Sequence, residues 1–202
     1  MSYNLDLMTR VATKTDIITL PNPALRQRSQ KVGIITDAVR SIVQSMQDAT
    51  IDWDQSRDHE VGVALAAPQL GKLYKIIVVR NDFDDKDNKT FSVFINPVIT
   101  KLEGELEDDF EGCLSVPDVY GKVSRYNKVR VKALDLSGHE FRVTATGFLA
   151  RIFQHEIDHL QGSLFIDHIR NQKDAFFRLM PDGKLEQLDY DKDVRDSRIL
   201  WE

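Results

Sequence analysis

One stretch, Phe148-Leu-Ala-Arg-Ile-Phe-Gln-His-Glu-Ile-Asp-His-Leu160, decides the fold that we predict for this chain. Its apolar residues recur at intervals of three and four, which is the spacing of one face of an α-helix, and Gly162 follows as a helix stop. His155 and His159 lie four residues apart in it, so both rings project from one face about one turn apart. We therefore predict an amphipathic helix over residues 148–160 that presents two imidazoles side by side.

This HExxH pattern indicates a metal site with an acid–base group beside it. Two imidazoles at this spacing can bind one metal ion through nitrogen at about 2.0–2.1 Å. Glu156 can accept a proton from metal-activated water without binding the metal itself, and Asp158 is expected to hold one ligand ring as a hydrogen-bond acceptor. The alternative is a helix with two partly exposed histidines, which we disfavour because buried imidazoles in so apolar a helix need partners.

Such a site needs a third protein ligand. Asp167 and His168 follow the helix, but neither lies at the distance from the HExxH motif at which endopeptidases with this motif have their third ligand. A zincin-type endopeptidase is therefore an alternative for which the sequence shows no third ligand. Cys113, in Glu111-Gly-Cys-Leu-Ser115, is the single cysteine of the chain. A thiolate with two imidazoles leaves a fourth position for water, and Gly112 lets the backbone approach the metal closely.

The remaining segments predict an α+β fold, with strands in runs and helices set apart from them. A helix is predicted from Thr36 to about Ala49, fading before the polar stretch that starts at Asp52. Strands are predicted at residues 75–80, 91–95, 98–105, 128–136 and 141–146, assembled as a β-meander. A shorter helix is predicted over residues 172–180. We expect one domain over residues 1–202, with a core of about 15–180 and a charged extension over 181–202.

Composition excludes several classes of protein. The chain has 202 residues with Lys+Arg 27 against Asp+Glu 32, a formal charge of −5, which argues against a broad nucleic-acid-binding face. No apolar stretch approaches the roughly 20 residues of a membrane-spanning helix, and the start lacks a secretory signal, so we expect a cytoplasmic protein. The acidic run over residues 103–111 is interpreted as a solvated strand face, and His59, His139 and His168 as surface residues.

Three ordered motifs resemble those of the peptide deformylases. They are residues 111–115, residues 154–159 and, upstream, Gly62-Val-Ala-Leu-Ala-Ala-Pro-Gln69. Softer similarities at residues 21–26, at Arg125 and at residues 162–167 extend the resemblance over about 15–180. The resemblance implies antiparallel β-sheets packed around a central helix that bears the HExxH motif, with further helices near each terminus.

The resemblance also implies a reaction and a set of site residues. Cys113, His155 and His159 would bind one divalent metal ion, usually Fe²⁺ in the cell, with Zn²⁺, Ni²⁺ or Co²⁺ able to take its place. Metal-bound water would attack the formyl carbon of an N-formylmethionyl nascent peptide and release formate. Glu156 would be the general base and later the general acid. The residues expected to bind the oxyanion are Gln69 and Leu114, and those expected to contact the substrate are Gly62, Val63, Ala64, Gly112 and Arg125.

Two features depart from the family pattern. Ala64 stands where the first motif usually has a second glycine, which is the only sequence support for an alternative: a degenerate deformylase-like protein that binds metal or peptide without turnover. The segment over residues 181–202 carries 4 basic and 7 acidic residues, a balance of 4 − 7 = −3. A transient association with the ribosome stays open from the resemblance, but this segment offers no basic helix to support it, and the sequence predicts no direct nucleic-acid partner and no membrane partner.

Overall fold

The computed structural model describes residues 10–57, 59–83, 85 and 87–201. The α-helices are α1 (Asp37–Gln55), α2 (Gly147–His159), α3 (Phe165–His168) and α4 (Arg198–Trp201). The strands are β1 (Ala64–Ala66), β2 (Ile76–Arg80), β3 (Phe91–Cys113), β4 (Val116–Leu134), β5 (Glu140–Thr146), β6 (Phe176–Leu179) and β7 (Leu185–Gln187). Strands in runs with separate helices confirm the predicted α+β class.

Helix α1 starts where the sequence predicts and ends later. Its N-cap is Thr36, and Val43, Met46 and Ala49 lie buried along one face. The prediction that the helix fades before Asp52 is wrong, because the helix runs to Gln55. In its last turn, Asp54 is buried rather than solvated. Its carboxylate accepts hydrogen bonds from Arg80 of β2 and from the backbone N–H of Gly62, which precedes β1.

The described strands form one antiparallel sheet in the order β1-β2-β3-β4-β6-β7, with β5 also paired to β4. The predicted meander is confirmed as β3–β4–β5. The two strands predicted at residues 91–95 and 98–105 are one strand, β3, which also continues beyond residue 105 to Cys113. Its register with β4 shifts at several points, the last between Gly112 and Cys113, and each such irregularity bends and twists the strand.

Gly112 is required by the close packing of β3 on β4. A Cβ atom there would lie 2.7 Å from Cε1 of Tyr120, well inside van der Waals contact. Beyond the register shift that follows, Cys113 pairs with Val116 as the last pair of the ladder, and its half-buried side chain faces α2, with Sγ 3.2 Å from Nε2 of His159.

Helix α2 lies at the centre of the molecule and matches the predicted range within one residue. Ala150, Phe153 and Ile157 pack in a buried cluster with side chains of β1, β2 and β4. Phe153 meets Phe94 of β3 edge to face, with 4.9 Å between ring centroids. Burying such a face drives the association of helix and sheet, so the orientation of α2 is set by its apolar side. The polar side, with the motif residues, faces the end of β3.

The helix predicted over residues 172–180 is wrong. Residues 176–179 form β6, which pairs with Val119–Gly121 of β4. Phe176 is fully buried, whereas Arg178, two residues further on the same face of the strand, is exposed, so burial decreases along β6. The partner strand lies more than 50 positions away in the chain, and a non-local pairing of this kind overrides local helix propensity.

The charged extension is part of the folded molecule. Leu188, Val194 and Leu200 are buried in one cluster with Phe176 and with residues of α3. Nη2 of Arg26 donates a hydrogen bond to the carbonyl of Leu200 at 2.9 Å. In the part of the chain described, no helix is long and apolar enough to cross a membrane.

Candidate metal centre and substrate cavity

Three side chains that are far apart in the sequence meet at one point. Cys113 comes from the end of β3, and His155 and His159 come from successive turns of α2. Their ligand atoms all lie within 4.8 Å of one another, and Sγ of Cys113 is 3.2 Å from Nε2 of His159. Ligands bound tetrahedrally at about 2.0–2.3 Å from one ion lie roughly 3.3–3.6 Å apart, so this cluster has about the dimensions of a metal site.

The donor set fits a divalent transition metal. One thiolate and two imidazoles are borderline to soft ligands, and three protein ligands leave a further position for a water or substrate oxygen. Among the described residues, Nδ1 of His159 has no hydrogen-bond partner although it is buried. Since Nε2 is the nitrogen that faces Cys113, the ring already points the appropriate atom at the centre of the cluster.

Glu111 orients the other imidazole. Its Oε2 lies 2.9 Å from Nδ1 of His155, so that nitrogen carries the proton toward the carboxylate and Nε2 is left for a metal. Arg125 donates two hydrogen bonds to Glu111, at 2.9 and 3.1 Å, and Arg151 donates another at 2.9 Å. Burial by itself raises the pKa of Glu111, but the hydrogen bonds from His155 and Arg125 outweigh it and hold that pKa well below its usual value.

The interpretation of residues 103–111 as a solvated strand face is therefore wrong at its last position. Glu105 is exposed, whereas Glu111 is buried. Local alternation places both on one face of a flat strand, and only the bends of β3 turn the end of the strand into the core. The one local signal was proximity: Glu111 stands two residues before the candidate ligand Cys113.

Asp158 does not hold a ligand ring, contrary to the expectation from the sequence. Its Oδ2 accepts a hydrogen bond from Nη1 of Arg125 at 2.7 Å and lies 2.7 Å from Nε2 of His168. Burial opposes its ionisation, but the contacts with His168 and Arg125 prevail and lower the pKa of Asp158. Asp158 therefore supports the site indirectly, by holding the arginine that holds Glu111.

Glu156 is buried next to the cluster with an unused oxygen. In the described part of the chain, its Oε2 has no hydrogen-bond partner. Burial raises the pKa of Glu156 to about 7. A carboxylate that is close to the metal ligands yet free of protein partners is available to exchange a proton with a bound water or substrate.

Gln69 reaches the site from a short 3-10 helix, Ala67–Leu70, which follows β1. Its Oε1 accepts a hydrogen bond from the backbone N–H of Ala66 at 2.8 Å, which turns the amide nitrogen toward the metal cluster. Nε2 donates to Oγ of Ser115 at 3.2 Å and lies 3.7 Å from Sγ of Cys113. The amide is therefore oriented in advance as a donor.

A cavity of about 410 Å³ opens onto these groups. Val63, Ala64, Gly112 and Leu114 line it together with two members of the cluster, Cys113 and His155, and with Gln69 and Glu156. Ala64 belongs to β1, and the described non-glycine residues with positive φ are Asn96 and Asp118, so the site does not require a left-handed backbone at Ala64.

Two of the residues expected to contact the substrate lie elsewhere. Gly62 is absent from the cavity lining and packs on α1, where a Cβ atom would be 3.0 Å from Cγ2 of Thr50. Arg125 is also absent from it, because its guanidinium is engaged by Glu111 and Asp158. The expected direct role of Arg125 is corrected to support of Glu111.

Comparison with known proteins gives consistent matches. A family model described as Polypeptide deformylase matches residues 14–175. A peptide deformylase of Thermomicrobium roseum is 41% identical over 173 residues, which is 84% of this chain and 93% of that protein. Peptide deformylase 1 of Clostridium perfringens is 44% identical over 144 residues, 71% of this chain and 90% of that protein. The crystal structure of a peptide deformylase from Synechococcus elongatus in complex with actinonin matches with a TM-score of 0.70 and 36% identity, covering 81% of this chain and 82% of that one.

Proposed function

This chain belongs to the polypeptide deformylase family, and from that premise we propose that Cys113, His155 and His159 hold the metal of a deformylase active site. The protein is a metal-dependent hydrolase that removes the formyl group from N-formylmethionyl peptides. The observation that carries the site assignment is the convergence of one thiol and two imidazoles, within 4.8 Å, beside an unpartnered buried carboxylate.

The metal is a divalent ion held by these three side chains, natively Fe²⁺, with Zn²⁺, Ni²⁺ or Co²⁺ as substitutes. When bound, such an ion polarises the formyl oxygen and lowers the pKa of water toward neutrality. Glu111 keeps Nε2 of His155 directed at the ion, through the hydrogen bond at Nδ1.

Glu156 moves the proton in this reaction. Oε2, which has no partner in the described part of the protein, accepts a proton from the attacking water and then donates it to the leaving amine. Both transfers use the same carboxylate because the cavity wall buries it within reach of the reacting atoms and away from competing hydrogen bonds.

Gln69 and Leu114 bind the oxygen on which negative charge develops. Nε2 of Gln69 is already oriented by the bond from Ala66 N–H to its own Oε1, and the backbone N–H of Leu114 is adjacent to Cys113. Donors that are positioned before the reaction are effective because they need no reorganisation, and loss of one typically costs about 10²–10³ in rate. Val63, Ala64 and Gly112 contact the peptide from the cavity walls.

Replacement of Glu156 tests this assignment. Glu156→Gln keeps size and hydrogen-bonding ability but cannot accept the proton, so we expect formate release from formyl-Met-Ala-Ser to be abolished while one equivalent of metal stays bound. Anaerobic purification with metal analysis and a formate assay on the same sample measures both, and Glu105→Gln, a change on the exposed part of β3, is the matched control. Loss of metal from Glu156→Gln would contradict the role of Glu156, and a metal-loaded wild type without turnover would favour the degenerate alternative.

Partners and location follow from the same activity. We propose that the substrates are nascent peptides that begin with formylmethionine, and that the protein works in the cytoplasm, which the bacterial relatives support. The excess of acidic residues over 181–202 gives no support for docking on the ribosome through a basic helix. We further propose that residues 1–202 form a single catalytic domain with a C-terminal extension.

A further inference from the structure

A short segment, residues 62–64, lies between part of helix α1 and the substrate cavity, which Trp53 of α1 also lines. Val63 and Ala64 line the cavity, whereas Gly62 packs against α1. A Cβ atom at Gly62 would lie only 3.0 Å from the carbonyl oxygen of Thr50. Any displacement of this segment would change the width of the cavity on one side. The contacts that hold this segment in place therefore influence how the peptide fits into the cavity.

Two hydrogen bonds anchor the segment before β1 begins. The buried N–H of Gly62 donates to Oδ1 of Asp54, the inward-facing acid of α1, at 3.0 Å. The N–H of Arg80, at the end of β2, donates to the carbonyl of Val63 at 2.8 Å. The side chains of these two anchors also meet, since Nη2 of Arg80 lies 3.3 Å from Oδ2 of Asp54.

The geometry of this buried ion pair is poor for a stabilising interaction. Arg80 is 1% exposed, and its Nε and Nη1 have no hydrogen-bond partner among the described residues. Removing two charges from water is costly, and apolar residues of similar size often replace a buried pair without loss of stability. What apolar residues cannot supply is an acceptor for the N–H of Gly62.

We propose that Asp54, held by Arg80, is a positioning residue for the substrate-binding wall formed by Val63 and Ala64. The carboxylate fixes Gly62 on α1, and Gly62 fixes the two residues that contact the peptide. This inference rests on the proposed deformylase function, because it concerns the binding of the peptide to that site. Neither Asp54 nor Arg80 lines the cavity, so both act through the segment.

Two double variants that differ only in the acceptor test the proposal. Asp54→Asn with Arg80→Met removes both charges but keeps an amide oxygen for Gly62, whereas Asp54→Leu with Arg80→Met removes the acceptor as well. We expect the KM for formyl-Met-Ala-Ser to be about tenfold higher in the Leu double variant than in the Asn double variant, the size of one lost hydrogen bond to a buried group. The kcat should differ little between them, because the wall binds substrate and transition state alike. Equal KM values would overturn the proposal.

Amide hydrogen exchange supplies a second measurement that does not use activity. In the zinc-loaded wild type and in the Asn double variant, the N–H of Gly62 should be protected from exchange, and in the Leu double variant it should exchange quickly. Rapid exchange at Gly62 in the wild type would overturn the proposal even if a variant failed to fold. Failure of the proposed function has a different signature: the metal-loaded wild type would release no formate, whatever the exchange rate at Gly62.

Discussion

At the scale of single residues, the proposed metal site depends on groups that contact its candidate ligands rather than the substrate. Glu111 accepts a hydrogen bond from a ligand imidazole and is itself held by two arginines, Arg125 and Arg151. Asp158 extends this support by one more contact, to Arg125. The chain thus surrounds one anionic carboxylate with cationic and polar partners, which keeps it ionised in spite of its burial.

Glu111→Gln should weaken metal binding. The amide cannot orient His155 as a carboxylate does, and it leaves Arg125 and Arg151 without their charge partner, so we expect a loss of about 10–100-fold in metal affinity. Competition with a chelator of known affinity measures this, with Glu105→Gln as the control on the exposed part of the same strand. An unchanged affinity in Glu111→Gln would contradict the orienting role.

Tyr120 provides a test of pH dependence. Its hydroxyl donates a hydrogen bond to Oε1 of Glu60 at 2.8 Å, and burial, followed by that bond, raises the pKa of Tyr120. Because the pKa is higher in the folded state than in the unfolded chain, where it is about 10, the stabilisation is complete below pH 10 and declines as the pH rises above it.

We therefore expect Tyr120→Phe to be less stable than the wild type near pH 8 and the difference to shrink as the pH rises above 10. Urea unfolding at a series of pH values gives this difference directly. The phenylalanine variant lacks the titrating group, so it is the reference for every other effect of high pH on the stability of the wild type. A difference that stays constant from pH 8 to pH 12 would show that Tyr120 titrates at the same pH in both states.

At the scale of secondary-structure elements, the C-terminal extension is the least expected finding. The family match ends at residue 175, and the next residues form β6. Phe176 is fully buried there and packs with Leu188 and Val194 of the extension. The extension therefore closes a hydrophobic cluster beside β4 instead of lying free on the surface.

Phe176→Ala should lower the free energy of unfolding by about 3–5 kcal/mol, the usual cost of truncating a buried phenylalanine. Ile199→Ala is the control, because Ile199 is exposed in the extension that packs on Phe176 and its replacement should change stability by no more than about 0.5 kcal/mol. Chemical denaturation of both variants measures the effect. Similar small losses in the two would mean that the cluster Phe176 forms with the extension contributes little to the fold.

At the scale of the whole molecule, the metal site joins parts that pack in different clusters. Cys113 packs against the cluster that contains α3 and the C-terminal extension, Leu114 against the cluster built on α1, and α2 lies in the third. An ion held by Cys113, His155 and His159, as proposed, would link the cluster at the end of β3 to the cluster that contains α2.

Removal of the metal should therefore destabilise the protein as a whole. A ligand that binds only the folded state at 100 times its dissociation constant stabilises it by about 2.7 kcal/mol. We expect a chelator to lower the unfolding midpoint accordingly, and added Zn²⁺ to restore it. Cys113→Ala is the control, since its unfolding midpoint should respond much less to either treatment. Identical midpoints for the wild type with and without metal would contradict the assignment.

Much of this protein was predictable from local patterns. The range of α2 and the meander were predicted correctly, because a helical apolar face and β-branched runs depend on near neighbours in the chain, whereas the central position of the HExxH helix was implied by the resemblance to the peptide deformylases. The grouping of Cys113 with His155 and His159 was also predicted, since residue type and spacing restrict which side chains can complete a metal site.

What the sequence determined by itself, then, was helix α2, the strands of the meander and the chemistry of the candidate ligands, because periodicity and residue type are local properties. Only the tertiary structure decided that Glu111 rather than Asp158 orients a ligand, that residues 176–179 form a strand, and that Asp54 is buried against Arg80. Each of these depends on a bend or a pairing between distant segments, where burial changes the free energy of a charge or a backbone group that its neighbours in the chain leave undecided.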